Sequence, residues 1–247
     1  MKRFYLYLCI LWLSACAAQP AKLPTSERLV GVKGMRTASL RNAMLSQNLE
    51  LGSPVYLRLF KKETLLEAWV KDGEDEQYSL FKKYPICNYS GKLGPKLKEG
   101  DRQAPEGFYW VGAQQMNPWS QHHLSFDLGY PNAYDAALGR TGSHLMVHGG
   151  CKSDGCYALT DDVIEDVYLM VEASIANGHG VPVHIFPFRM NESSLVLNQD
   201  ARWSGFWENL KQGYDAFEET HIPPQIGIEK ESFSTISYLV SKQEPQI

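Results

Sequence analysis

The chain has 247 residues, with 24 Lys and Arg against 28 Asp and Glu and a formal net charge of −4. The only basic run that stands out is Lys92–Lys98, so nucleic acid is not an expected partner. The length suits one good-sized domain with an appendage, and no internal repeat or low-complexity run divides it.

The N-terminus reads as an export signal. Lys2 and Arg3 supply a positive start, Phe4–Leu13 is almost wholly apolar, and Leu13-Ser14-Ala15-Cys16 ends in small residues and a cysteine. Charged start, short apolar core and small-residue cleavage site make a secretory signal over 1–15. The run falls short of the roughly 20 residues that a bilayer-spanning helix needs. The Leu-Ser-Ala-Cys ending resembles a bacterial lipobox, which implies cleavage before Cys16 and a lipid on its thiol; a plain signal peptide is the alternative. Ala17 at the next position, rather than Asp, resembles lipoproteins sent to a Gram-negative outer membrane. The expected location is therefore the periplasm, with the outer membrane as a partner through the lipid. Losing Lys2 and Arg3 leaves 22 basic against 28 acidic residues, a net charge of −6.

Residues 16–34 then read as a lipidated tether and 35–53 as an N-terminal helical segment, with Met44 and Leu45 available for packing. Pro54–Phe60 alternates Val55, Leu57 and Leu59 against Tyr56, Arg58 and Phe60, the period of a strand. Thr64–Val70, Tyr78–Cys87, Gly107–Gly112 and His144–His148 read as further strands, with a polar turn at Lys71–Glu76. Thr160 is a candidate N-cap with Asp161 and Asp162 in the first turn, and Val163, Val167, Met170 and Val171 recur at helical spacing through Ala176. Gly178 and Gly180 stop that helix, and Pro182–Phe188 returns to strand. Trp203, Phe206, Trp207, Leu210, Tyr214 and Phe217 fall at spacings of three and four, an amphipathic helix packing back on the sheet. The fold class is mainly β with flanking helices.

Five cysteines are present, of which Cys9 leaves with the signal and Cys16 carries the lipid. Cys87, Cys151 and Cys156 remain, an odd number for an oxidising compartment, so at least one is unpaired or pairs between molecules. Cys87 with Cys151 is one available disulfide, a pairing the sequence leaves open. The run His148–Cys156, HGGCKSDGC, places an imidazole and a thiol at a glycine-rich turn behind the apolar Leu145, Met146 and Val147. That suits a cysteine nucleophile whose proton goes to a neighbouring histidine, because the thiolate is the reactive form. The glycines allow backbone N–H groups to turn inward, as an oxyanion hole requires. A zinc reading of His144, His148, Cys151 and Cys156 fails on geometry: in one strand, His144 and His148 would stand about 13 Å apart. No metal or cofactor is expected.

His148-Gly149 followed by Ser153-Asp154-Gly155-Cys156 resembles the signature of L,D-transpeptidase catalytic domains of the YkuD type. Lys83-Tyr84-Pro85-Ile86, Gly94-Pro95-Lys96, Gly100-Asp101 and Ala104-Pro105-Glu106-Gly107-Phe108-Tyr109 resemble the family's upstream blocks, in the same order. The resemblance implies a β-sandwich or barrel catalytic domain over 54–188 with an aromatic, helical C-terminal extension over 189–247. It implies that Cys156 attacks a stem-peptide carbonyl on the L-centre of diaminopimelate, with His148 as general base held by the carbonyl of Gly149. Gly155 and Cys156 are the implied oxyanion donors. Arg140 and Lys96 are candidates to grip stem-peptide carboxylates, and Ser153 to shape the turn. Tyr130, Tyr134, His122 and His123 are candidates to line the cleft, with core or solvent roles as the alternative.

Two departures bear on the second half-reaction. Asp154 stands where many members have His, and Ala158 where many have Arg or Asn; the His148–Cys156 loop is also short. Those features, with a likeness to enterobacterial proteins that cut peptidoglycan-linked lipoprotein, make water the expected acyl acceptor and such a lipoprotein an expected partner. Cross-linking or lipoprotein attachment is the alternative, and a non-catalytic wall-binding lipoprotein the second.

Overall fold

A computed structural model describes residues 22–71, 73, 76–230 and 236–243. The expected signal segment and Cys16 lie outside the described residues. The elements are α1 (Glu27–Leu45), β1 (Val55–Phe60), β2 (Leu65–Lys71), β3 (Tyr78–Pro85), β4 (Asn88–Tyr89), β5 (Gly107–Val111), β6 (Met116–Asn117), β7 (Ser125–Asp127), α2 (Ala133–Ala137), β8 (Met146–His148), β9 (Tyr157–Ala158), α3 (Asp161–Ala176), β10 (Val181–Phe186), α4 (Glu192–Leu197), α5 (Ser204–Thr220), β11 (Gln225–Lys230) and β12 (Ile236–Ser241).

One five-stranded sheet runs β3-β2-β1-β10-β5 and a second runs β4-β9-β8-β7-β6. Pairing is antiparallel except for β1 with β10 and β8 with β9. The two sheets and α3 share one apolar core that includes Val55, Leu57, Leu59, Phe126, Val147, Tyr157, Val167 and Ile185. Thr160 caps α3, its side chain accepting from the Val163 N–H, as its sequence pattern predicts.

The alternation in β1 predicts one buried face, yet all six of its residues are buried. Phe60, Phe186 and Phe188 form a second core with Trp207, Leu210 and Tyr214, so the aromatic stripe of α5 covers the outer face of the first sheet. Arg58 is buried on that face, Nη1 bonded to Glu218 at 2.6 Å and its guanidinium packed 4.7 Å from the Tyr214 ring and 5.0 Å from that of Phe217. The extension is not helical throughout: it ends in the β11–β12 hairpin, joined to α5 where Asn209 exchanges hydrogen bonds with the Tyr238 backbone at 2.7 and 3.0 Å.

The N-terminal helix also departs from expectation. It begins at Glu27, well inside the expected tether, because Ser26 caps it and accepts from the Leu29 N–H. Leu29 and Val32 then continue the buried stripe of Leu40 and Met44 toward α3. Their spacing was masked by the Lys, Ser, Glu and Gly around them.

A buried ion pair joins the first sheet to its cover. Lys61 Nζ donates to the carbonyls of Gly94 at 2.8 Å and Ala104 at 2.6 Å and lies 3.1 Å from Glu106. Glu106 in turn accepts from the Gly94 N–H at 2.7 Å and from the Trp207 indole at 2.8 Å. Removing one member of a fully buried pair strands the other charge away from water. Glu106→Ala is therefore expected to destabilise the fold by about 3–5 kcal/mol in urea titration, whereas a change below about 1 kcal/mol would show the pair to be dispensable.

Candidate active site

The site is built where β8 and β9 run side by side. Val147 pairs with Tyr157 and His148 with Ala158. Val147 and Tyr157 are fully buried in the shared core. Successive side chains alternate between faces, so His148 and Cys156, each one position away, both turn to the opposite face. The Met146 N–H donates to Cys156 Sγ at 3.4 Å, which fixes the thiol over β8. Cys156 is the free cysteine among the described residues, and Cys87 is disulfide-bonded to Cys151.

His148 is buried and its Nδ1 lies 2.6 Å from the Gly149 carbonyl. A carbonyl only accepts, so the proton sits on Nδ1 and Nε2 keeps its lone pair. Burial lowers the imidazole pKa below the ordinary histidine value; the Gly149 carbonyl opposes that shift and the charge of His122 adds to it. Burial likewise raises the Cys156 pKa. The Met146 N–H and Lys96 lower it, while Asp127 and Asp154 raise it. Both shifts favour uncharged forms, so the resting pair is a thiol and a neutral imidazole, suited to general-base activation during attack rather than to a preformed ion pair.

The turn around this pair is fixed by contacts that only glycine allows. A Cβ on Gly149 would stand 2.6 Å from Asp161 Oδ1 and 3.0 Å from the His122 carbonyl. The Gly149 N–H donates to the carbonyls of His122 at 3.0 Å and Leu124 at 3.2 Å, and the Gly150 N–H to Asp161 at 2.9 Å. Gly155 has φ +107°, a left-handed conformation that favours glycine. Its N–H, expected to serve an oxyanion, instead donates to Ser90 Oγ at 2.9 Å. The corrected assignment leaves the Cys156 N–H, which has no hydrogen-bond partner among the described residues. Ser153 lies 2.7 Å from Ser90 Oγ and donates to the Cys156 carbonyl at 2.7 Å, a turn-shaping contact.

The remaining expected residues fall in different places. Lys96 is buried, held by Asp101 and the Lys98 carbonyl, with its charge acting on Cys156. Tyr130 donates to the Lys96 carbonyl at 3.1 Å and supports that segment from the core. Arg140 does not stand at the thiol: its Nη1 bonds Asp135 at 2.7 Å and its guanidinium packs against Tyr134 and Phe206. A buried carboxylate five residues away captured this cation. His123 binds Glu165 at 2.8 Å, whereas the His122 ring lies tilted against that of His148 with centroids 4.6 Å apart. Ala158 is fully buried opposite His148, and Asp154 is exposed beside Arg102. Ser90, Asp127 and Asp161 were missed, since no local motif marks them and only tertiary folding brings them to the turn. No group of three or more His, Cys, Asp and Glu among the described residues converges as a metal site would require.

Residues 54–185 match the family described as YkuD, L,D-transpeptidase catalytic domain, and the chain belongs to that family. It is 45% identical over 179 residues to an Escherichia coli protein named "Putative L,D-transpeptidase YafK", covering 72% of each chain. Among solved structures it aligns with the helical cell shape determining protein Pgp2 from Campylobacter jejuni at 20% identity, covering 71% of this chain and 73% of that one with a TM-score of 0.45. In a point-variant structure of Pgp2 the alignment spans 56% of that chain, with a TM-score of 0.44. Bd1075 of Bdellovibrio bacteriovorus aligns at 19% identity over 76% of this chain and 85% of that one, with a TM-score of 0.40.

The neutral resting pair makes a direct prediction. Alkylation of Cys156 by iodoacetamide, followed by intact mass, is expected to accelerate continuously from pH 6 to pH 9. A rate that is flat across the neutral range would instead reveal a thiolate–imidazolium pair.

Proposed function

We propose that this chain is a cysteine-dependent peptidoglycan L,D-hydrolase. The observation that carries the reading is a free thiol and a buried histidine on one sheet face, with the imidazole locked by the Gly149 carbonyl in the tautomer that leaves Nε2 free. As Cys156 Sγ attacks the carbonyl carbon on the L-centre of diaminopimelate, His148 Nε2 takes the thiol proton. The Cys156 N–H faces the charge that develops on the carbonyl oxygen. Collapse breaks the C–N bond, the imidazolium returns its proton to the departing amine, and a thioester remains. Water then gives a proton to Nε2 and attacks the thioester; the C–S bond breaks, the imidazolium returns that proton to the thiolate, and the released carboxylic acid gives its own proton to solvent.

Ala158 supports water over an amine as acceptor. Beside His148 it offers a buried methyl group and no cation or amide to hold an acceptor peptide. The Cys87–Cys151 disulfide and the Ser90–Ser153 contact clamp the loop that would otherwise shape such a pocket. The bond between peptidoglycan and a covalently attached lipoprotein fits this chemistry, since its cleavage releases an amine from a polypeptide. In this reading Cys16 carries a lipid and the enzyme works in the periplasm at the outer membrane.

Purified protein is expected to release lipoprotein from isolated cell-wall sacculi. Cys156→Ala should lower that release at least a thousandfold while leaving the melting temperature within a few degrees. Formation of 3–3 cross-linked dimers from disaccharide tetrapeptide, with no lipoprotein released, would favour the transpeptidase alternative. Full activity in Cys156→Ala would remove the thiol mechanism.

A further inference from the structure

A second candidate surface stands apart from the thiol. It is a groove of about 970 Å³ between the β5–β10 edge of the first sheet, α2 and the β11–β12 hairpin, and neither His148 nor Cys156 lines it. Its floor includes Leu128 and Gly129, directly after β7, whose Asp127 acts electrostatically on the Cys156 thiol. The groove and the reaction centre are thus neighbours along one strand.

β5 is an edge strand, and its free edge faces this groove. The outward backbone groups of Phe108 are already used: its carbonyl accepts from Asn132 Nδ2 at 2.8 Å, and its backbone bonds the Tyr238 hydroxyl. Outward groups recur every second residue in an antiparallel strand, so Trp110 also turns its N–H and C=O to the edge. Its partner across the ladder is Pro182, which has no N–H to give. No hydrogen-bond partner for either Trp110 group is found among the described residues. One step further along, the Gly112 N–H is taken by Gln115 Oε1 at 3.0 Å. The open edge is therefore one residue long, a single donor and acceptor closed off at both ends.

The Trp110 side chain belongs to the same place. Trp110 is 58% exposed. Gly180 lies directly beneath it, and any Cβ there would collide with the ring, so the indole is seated flat as a platform at the groove. Gln115 and Asn132 line the walls beside it. An extended peptide adding to a sheet edge needs several consecutive backbone pairs, and this edge offers one. A 2-acetamido sugar matches it better. Its acetamido carbonyl can accept from the Trp110 N–H and a neighbouring ring hydroxyl can donate to the Trp110 carbonyl, while the sugar's C–H face covers the electron-rich face of the indole.

We propose that this groove binds an N-acetylated amino sugar, with its acetamido group on the Trp110 backbone and its ring on the Trp110 indole. The inference deepens the peptidoglycan reading above and rests on it: the glycan to which a stem peptide is attached consists of such sugars. The site would hold the strand while the peptide reaches Cys156.

The test uses the folded, mature-length Cys156→Ala protein, so binding is read without turnover. Tri-N-acetylchitotriose, its fully de-N-acetylated counterpart and a free stem tetrapeptide are titrated by calorimetry, and the Trp110 indole N–H is followed by NMR in each case. The acetylated trimer is expected to bind and shift the Trp110 signal, with the de-N-acetylated trimer at least tenfold weaker. That preference opposes the chain's own charge, since the de-N-acetylated sugar is cationic and the protein is net acidic. Trp110→Ala should weaken the acetylated trimer at least tenfold at an unchanged melting temperature. Equal binding of both sugars, no shift at Trp110, or a Trp110 shift produced only by the peptide would overturn the proposal. Sugar binding by a protein whose wild type releases nothing from sacculi would overturn the hydrolase reading alone.

Discussion

Everything at the reaction centre depends on the parallel pairing of two very short strands, Met146–His148 and Tyr157–Ala158. Strands this short are weak by themselves, and parallel pairing gains less per residue than antiparallel pairing. Their register is held from outside, by Val147 and Tyr157 in the shared core and by flanking β7 and β4. A slip of one residue in either strand would send its own member of the pair, His148 or Cys156, into the core. The intervening turn is therefore clamped at several points: the Cys87–Cys151 disulfide, the Ser90 and Ser153 contacts, and Asp161 at the start of α3.

The same principle extends outward. The first sheet is buried on both faces, by the second sheet and α3 on one side and by α5 on the other. Lys61, fully buried, is held by Glu106 and by carbonyls from a different part of the chain, whereas Arg58 makes one hydrogen bond to Glu218 and packs the rest of its guanidinium against the Tyr214 and Phe217 rings. The C-terminal extension is in this sense part of the catalytic domain's packing. Trp207 reaches from α5 to Glu106, and through it to Lys61 and the Gly94 loop.

The residues whose chemistry is local were legible in the sequence. His148, Gly149 and Cys156 sit in one short motif, and a strand leading to a glycine turn could be read from Leu145–Gly150. The strands with clear alternation and the helix after Thr160 were legible for the same reason. What was not legible depends on distant partners. Arg140 reads as a free cation until Asp135 is placed against it, and the Gly155 N–H reads as an oxyanion donor until Ser90 arrives from 65 residues away. The start of α1 at Glu27 rests on α3, which lies more than a hundred residues downstream. Strands of two or three residues, such as β4, β6 and β9, carry too little pattern to be seen without their neighbours.

The central claim is that an acyl group passes from a stem peptide to Cys156 and then to water. Reaction with lipoprotein-linked muropeptides in water enriched in oxygen-18, read by mass spectrometry of the released muropeptide, tests it most directly. One oxygen-18 atom in the newly formed diaminopimelate carboxyl group is expected, with none when Cys156→Ala replaces the wild type. An unlabelled product carrying a new amide bond to a second muropeptide would contradict it.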